Sequence, residues 1–226
     1  MVSEALCFAL NAASYPALVI GLACIHLPPS ARACGSYGNV LREGLRYVLN
    51  DRQVKQLMLS VLMINLTASS YGVLLRVFAR DIFKGDATTL GWLWGAAGLG
   101  SLASSAVLAG NRSTAPLHRF ILASTAVRTL AILLFAASTQ FWLSLIAIGL
   151  LGFGITICNI GTNIFLQSDA PEALRGRVVS LYTSTRFGFD VIGGLLAGLL
   201  AVHLGAPGVL LSAGALLLTY TAWAAR

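Results

Sequence analysis

Charge is what this sequence has least of. Only 10% of its 226 residues are Asp, Glu, Lys or Arg, against about 25% in an ordinary soluble domain. So few charges cannot cover a water-soluble globule, and 57% of the chain is hydrophobic. Acidic residues are the rarest: 8 against 15 basic ones, a net charge of +7. The basic residues are not gathered on one soluble face, which excludes a nucleic-acid partner. They fall between apolar runs, where the positive-inside rule uses them. The four cysteines, Cys7, Cys24, Cys34 and Cys158, form no C-x-x-C pair. Three lie inside apolar runs, where a free Cys behaves as a small hydrophobe, so neither a disulfide framework nor a metal centre is expected. Histidine is limited to His26, His118 and His203, all near the ends of apolar runs. G-x-x-x-x-G-K-[ST] and H-E-x-x-H are both missing. Nothing suggests covalent catalysis, a cofactor or a metal, and the chain is not read as an enzyme. The N-terminus lacks a basic leader and carries Glu4 instead, and its apolar run 5–27 is too long for a signal peptide. That run is read as a retained span.

What is present is long apolar runs. A helix needs about 20 apolar residues to cross a bilayer core. Seven runs qualify: 5–27, 56–75, 89–109, 119–138, 141–165, 179–202 and 207–225. They are continuous rather than alternating, and a helix satisfies its own backbone in lipid. The expected fold is an all-α integral membrane protein with about seven transmembrane helices. It divides into a first span (1–27), a connecting loop (28–55) and a six-helix body (56–226). The loop opens with Pro28-Pro29 and then places apolar residues at 41, 45, 48 and 49, with Arg42, Glu43 and Arg46 off that stripe. This predicts an amphipathic helix, lying on the membrane surface or serving as a solvated linker.

Basic residues set the orientation. With the loop in the cytoplasm, that side holds Arg32, Arg42, Arg46, Arg52, Lys55, Arg112, Arg119, Arg175, Arg177 and Arg226. The opposite side holds Arg76, Arg80 and Lys84. Such a bias places the C-terminus in the cytoplasm of a multi-pass plasma-membrane protein. The sequon Asn111-Arg112-Ser113 then faces the cytoplasm and is a chance match.

Polarity enters the spans as stripes. Asn65, Ser69, Gly72 and Arg76 share a helical face, as do Gly152, Thr156, Asn159, Asn163 and Gln167, and Thr183, Arg186, Asp190, Gly193 and Ala197. Such faces turn toward other helices or a wet cavity. Gly91, Gly95 and Gly98 suggest a close-approach face, and Gly194-x-x-x-Gly198 another. Asn159 and Asn163 either pack or hydrogen-bond a solute. Arg186 and Asp190, four residues apart, can reach each other. They form a neutralised structural pair, a site for an ionic substrate, or a carboxylate that exchanges a proton. A mid-helix charge costs roughly 2.5–3.5 kcal/mol on insertion scales. Arg128, halfway along its run, has no partner there; it shares Asp190 from a neighbouring helix or holds an anionic group. Arg76 and His203 are read as interfacial.

EALRGRVVSLYT, followed by GGLLAGLLA and GAPGVLL, resembles the last two helices of major facilitator superfamily transporters, in the branch of enterobactin exporter-like proteins and transmembrane secretion effectors. CFALNAASYPALVI, LREGLRYVLNDRQVKQLML and ARDIFKGDATTLGWLWGAAGLGSL agree with it, in the same order. The resemblance implies helices six to twelve of a twelve-helix transporter, a partial major facilitator fold, with a separate N-terminal half as partner. It implies proton-driven efflux of a small molecule by alternating access. Arg128, Arg186 and Asp190 are expected to line the substrate and proton pathway, supported by Asn159 and Asn163. The family's cytoplasmic signature maps to Glu172, Arg175, Gly176 and Arg177, whose charges would bridge helices as a gate. The loop Gly110-Asn111-Arg112 keeps one basic residue of the matching signature but lacks its acidic start. The alternative is a membrane fragment that does not transport and acts as an interaction partner.

Overall fold

The computed structural model describes residues 37–110 and 117–224 and, nearer the N-terminus, residues 9, 12, 13, 15, 16, 19–21, 23 and 24. Those N-terminal positions form a unit of their own and are helical as far as residue 23, within the first predicted span. Cys7, Cys34, His26, Arg32, Arg112 and Arg226, the Pro28-Pro29 turn and the sequon lie outside the described residues, as does most of the 110–112 loop.

The main unit is a bundle of helices. α1 (Tyr37–Asn50) is the amphipathic helix of the loop, and α2 (Arg52–Val77) follows almost at once. Asp51 separates them because its Oδ1 accepts from Gln53 N and Val54 N, at 2.8 and 3.0 Å, satisfying two of the orphan donors of a helix start. At its far end α2 widens into a π-helical segment, Phe78–Ile82. α3 (Ala87–Gly110), α4 (Leu117–Ala137) and α5 (Phe141–Asp169) follow. α6 (Glu172–Ala224) starts behind Pro171, whose carbonyl accepts from Leu174 and Arg175. Its start lies seven residues earlier than the apolar run predicted, so the gate signature sits on a helix rather than in a loop.

Five of these helices are long and apolar enough to cross a membrane. α6 would span roughly 80 Å if straight, far more than a hydrocarbon core of about 30 Å. It turns at Gly205, whose φ of 69° suits a residue without Cβ, with Pro207 just beyond. The predicted spans 179–202 and 207–225 are its two limbs. The first limb starts near α1, where Arg177 meets Glu43. The second returns along α4 and α2: Thr221 meets Thr129, and the Ala224 carbonyl accepts from Gln56 Nε2 at 3.1 Å. The start of α2, the start of α6 and the C-terminal end therefore share one side of the bundle.

The packing is that of a membrane protein. Leu99, Leu102, Trp142, Leu195, Leu199 and Val202 are exposed, while Asn65, Thr67, Arg128 and Asn159 are buried. Water would reject that arrangement; lipid favours it. Helices touch closely at some of the predicted small residues, Gly152 and Gly193 on the polar stripes, but not along the Gly91, Gly95 and Gly98 face. A Cβ on Gly91, Gly95, Gly98 or Gly198 would meet nothing within 4 Å. A Cβ on Gly100 would stand 1.9 Å from Gly149 O, one on Gly152 2.2 Å from Ala97 O, and one on Gly193 2.1 Å from Leu66 O. The α3–α5 contact thus runs through Gly100, Gly149 and Gly152, and the α2–α6 contact through Gly193.

Candidate substrate cavity

The polar stripes of α2, α5 and α6 meet. Asn65, Ser69 and Gly72 from α2, Asn159 from α5, and Arg186, Asp190 and Gly194 from α6 line one cavity of about 430 Å³. This is within the usual range for a small-molecule site, roughly 300–1,000 Å³. Its apolar walls include Tyr71, Trp94 and Phe187. Tyr71 and Trp94 are tilted toward each other, centroids 6.3 Å apart. Trp94, Phe187 and Asp190 are exposed, so the cavity opens outward from the bundle.

One wall is fixed by an amide pair. Asn65 Nδ2 donates to Asn159 Oδ1 at 3.1 Å, and Asn159 Nδ2 to Asn65 Oδ1 at 3.4 Å. Asn65 also donates to Val61 O, and Tyr182 OH to Asn159 O at 2.7 Å. α2, α5 and α6 are tied together there. Asn163, expected beside Asn159, is not among the lining residues; Gln167, one turn on, donates to it.

The charged residues are arranged differently from expectation. Arg186 and Asp190 make no ion pair. Ser69 Oγ donates to the Asp190 carboxylate and lies 2.6 Å from its backbone carbonyl. The Arg186 guanidinium lies over the Phe187 ring, 5.1 Å from its centroid, a favourable seat for a cation. A cation placed N-terminal to the anion is also the weaker order for an i,i+4 pair. Arg128 does not line the cavity and does not bond to Asp190. It is fully buried, and its Nη2 donates to Ile64 O at 2.9 Å and Thr67 Oγ1 at 2.7 Å. It clamps α4 to the stretch of α2 that carries Asn65 and Ser69. Among the described residues Nε and Nη1 have no partner.

The gate signature is rearranged too. Among the described residues the one ion pair joins Arg177 to Glu43, on α1. Glu172 and Arg175 are exposed and unbridged. A turn further along α1, Tyr47 OH donates to Asp169 Oδ2 at 3.1 Å. Burial, and then this bond to a carboxylate, push the Tyr47 hydroxyl up to about 12. The predicted stripe of α1 is only partly inward: Val48 is buried, whereas Leu45 and Leu49 are exposed.

Ser69 stood on a recognised stripe, but its carboxylate contact depends on α6. Tyr71 and Trp94 carried no sequence signal, since aromatic residues in apolar runs are common.

A multi-pass helical bundle around an open, mixed polar and aromatic cavity is the form of a membrane transporter. The chain matches the family model described as transmembrane secretion effector over residues 1–226 and belongs to that family, within the major facilitator superfamily. No functionally curated protein matches it.

Proposed function

We propose that this chain forms helices six to twelve of a major facilitator exporter, in the enterobactin exporter-like branch, that moves a small molecule by alternating access and couples the movement to protons at Asp190. The observation that carries the reading is the Ser69–Asp190 contact. Ser69 Oγ on α2 donates to the Asp190 carboxylate on α6 and so fixes an acidic group at the wall of the cavity, inside the spans. The carboxyl is exposed in a cavity, where protons can reach it. The outward opening fits a second body, an N-terminal half, facing the cavity.

Orientation rests on the basic side. Arg42, Arg46, Arg52, Lys55, Arg175 and Arg177 belong to α1 and to the helix starts that share one side with the C-terminal end. That side is cytoplasmic under the positive-inside rule, in a plasma-membrane protein. Arg177, Glu172 and Arg175 form the cytoplasmic gate region, with Glu43 as the partner of Arg177.

Inside-out membrane vesicles containing the chain together with an N-terminal half should take up at least one of ethidium, fluorescein and 4-nitrophenylalanine when the lumen is acid. Nigericin should abolish the uptake. Asp190→Asn should insert normally and lose the response to the gradient. Uptake indifferent to nigericin, or of none of the three probes, overturns the reading.

A further inference from the structure

The cavity contains one cation and one anion, and they do not neutralise each other. Both stand on the same helix, one turn or about 6 Å of rise apart. Arg186 rests on an aromatic face, and the described residues offer it no carboxylate. Asp190 has one oxygen engaged by Ser69, and among the described residues the other has no hydrogen bond. Around them stand Tyr71, Trp94 and Phe187, all lining the same space. Charges left unpaired in a membrane interior are costly, and here both are presented to a ligand rather than to each other.

Building on the transporter reading, we propose that the cavity binds an aromatic zwitterion. Its carboxylate meets Arg186, its ammonium meets Asp190, and its ring packs among Tyr71, Trp94 and Phe187. A guanidinium fork suits a carboxylate, and aromatic faces suit a flat apolar body. A ligand with only one charge leaves one charge of the cavity unanswered, and a neutral one leaves both. The charged and titratable groups near Asp190 are Arg186 on its own helix and Tyr71 on α2, with Arg128 behind Tyr71. Trp94 from α3 and Asn159 from α5 carry no charge.

Four probes share one ring and differ only in charge: 4-nitrophenylalanine, its methyl ester, its N-acetyl acid and its N-acetyl methyl ester. The nitrophenyl group quenches indole fluorescence, so binding to the purified chain in detergent is read through Trp94, with Trp94→Phe showing where the signal arises. The zwitterion should bind about tenfold to a hundredfold more tightly than either singly charged probe, the usual value of a hydrogen bond to a charged group. Arg186→Gln should reduce the zwitterion to the level of its ester, and Arg186→Lys should restore part of the difference. Asp190→Asn should reduce it to the level of the N-acetyl acid. Equal affinity for all four probes, or a preference untouched by Arg186→Gln, overturns the proposal. No gradient is involved, so zwitterion binding without nigericin-sensitive uptake would instead count against the proton-driven exporter.

Discussion

Asp86 shows how a single exposed carboxylate starts a membrane helix. Its Oδ1 accepts from Thr88 N at 3.0 Å and Thr89 N at 3.2 Å, at the head of α3. The Thr89 amide above all, aided by Thr88, holds its carboxyl below the ordinary carboxylate value. A group depressed in the folded state contributes stability above its unfolded value and loses it as pH falls through the folded one. Asp86→Ala should therefore lower the melting temperature in detergent at neutral pH, and the gap should close in acid. A gap of the same size at both pH values would assign the effect to something other than the ionised cap. Arg128 is the opposite case, a charge with no access to water. Its place was legible as an anomaly, an Arg midway along an apolar run. That it clamps Ile64 and Thr67 was not, because backbone acceptors on another helix leave no trace in residue types.

At the scale of elements, close approach of helices is set by which glycines point inward. Gly193, on a polar stripe, and Gly91, on a face of glycines, were both expected to face a neighbouring helix. Only Gly193 has a backbone against it, the Leu66 carbonyl. Gly193→Ala should force α6 away from α2 and destabilise the fold by about 1–3 kcal/mol, the usual cost of overpacking. It should also widen the cavity, since Asp190 and Gly194 sit on the same stretch. Gly91→Ala meets open space and should be neutral or stabilising by up to about 1 kcal/mol through helix propensity. Thermal unfolding of both variants in detergent checks the contrast; equal losses would mean that the α2–α6 crossing is looser than its backbone distances indicate. Span positions were readable from hydropathy to within a few residues, except at the head of α6. There Glu172 to Arg177 are polar enough to pass for a loop, yet Pro171 makes them the first turn of the helix.

The main unit is strapped on its basic side. α1 reaches the end of α5 through Tyr47–Asp169 and the start of α6 through Glu43–Arg177. The strap holds together the two helix ends that a rocking transporter half would move. Glu43→Gln should speed hydrogen exchange in α1 while leaving the exchange of α2 unchanged. If α1 exchanges equally fast in both proteins, the ion pair is only a surface contact, worth little as most are. The tyrosine half of the strap has its own pH signature. Because the Tyr47 hydroxyl is raised from 10.0 to about 12, its contribution is fully present below the unfolded value and disappears as pH rises through about 12. The ultraviolet titration of Tyr47→Phe should lack one tyrosine that ionises near that value in the parent chain.

The sequence by itself determined the solvent and the helices. Scarce charge and long apolar runs leave lipid as the only medium in which the chain can be stable, and lipid permits only self-satisfied backbones. Placement of Arg and Lys between the runs supports the proposed orientation. Three-dimensional packing decided what the charges do. Arg186 and Asp190 are close enough along one helix to pair, and local spacing alone leaves open whether they do. Ser69 and Phe187 offered each a competing partner, and Ser69 is 121 residues from Asp190 along the chain. A pattern of residue types within one helix describes which faces are polar; it does not describe which neighbouring helix arrives to meet them.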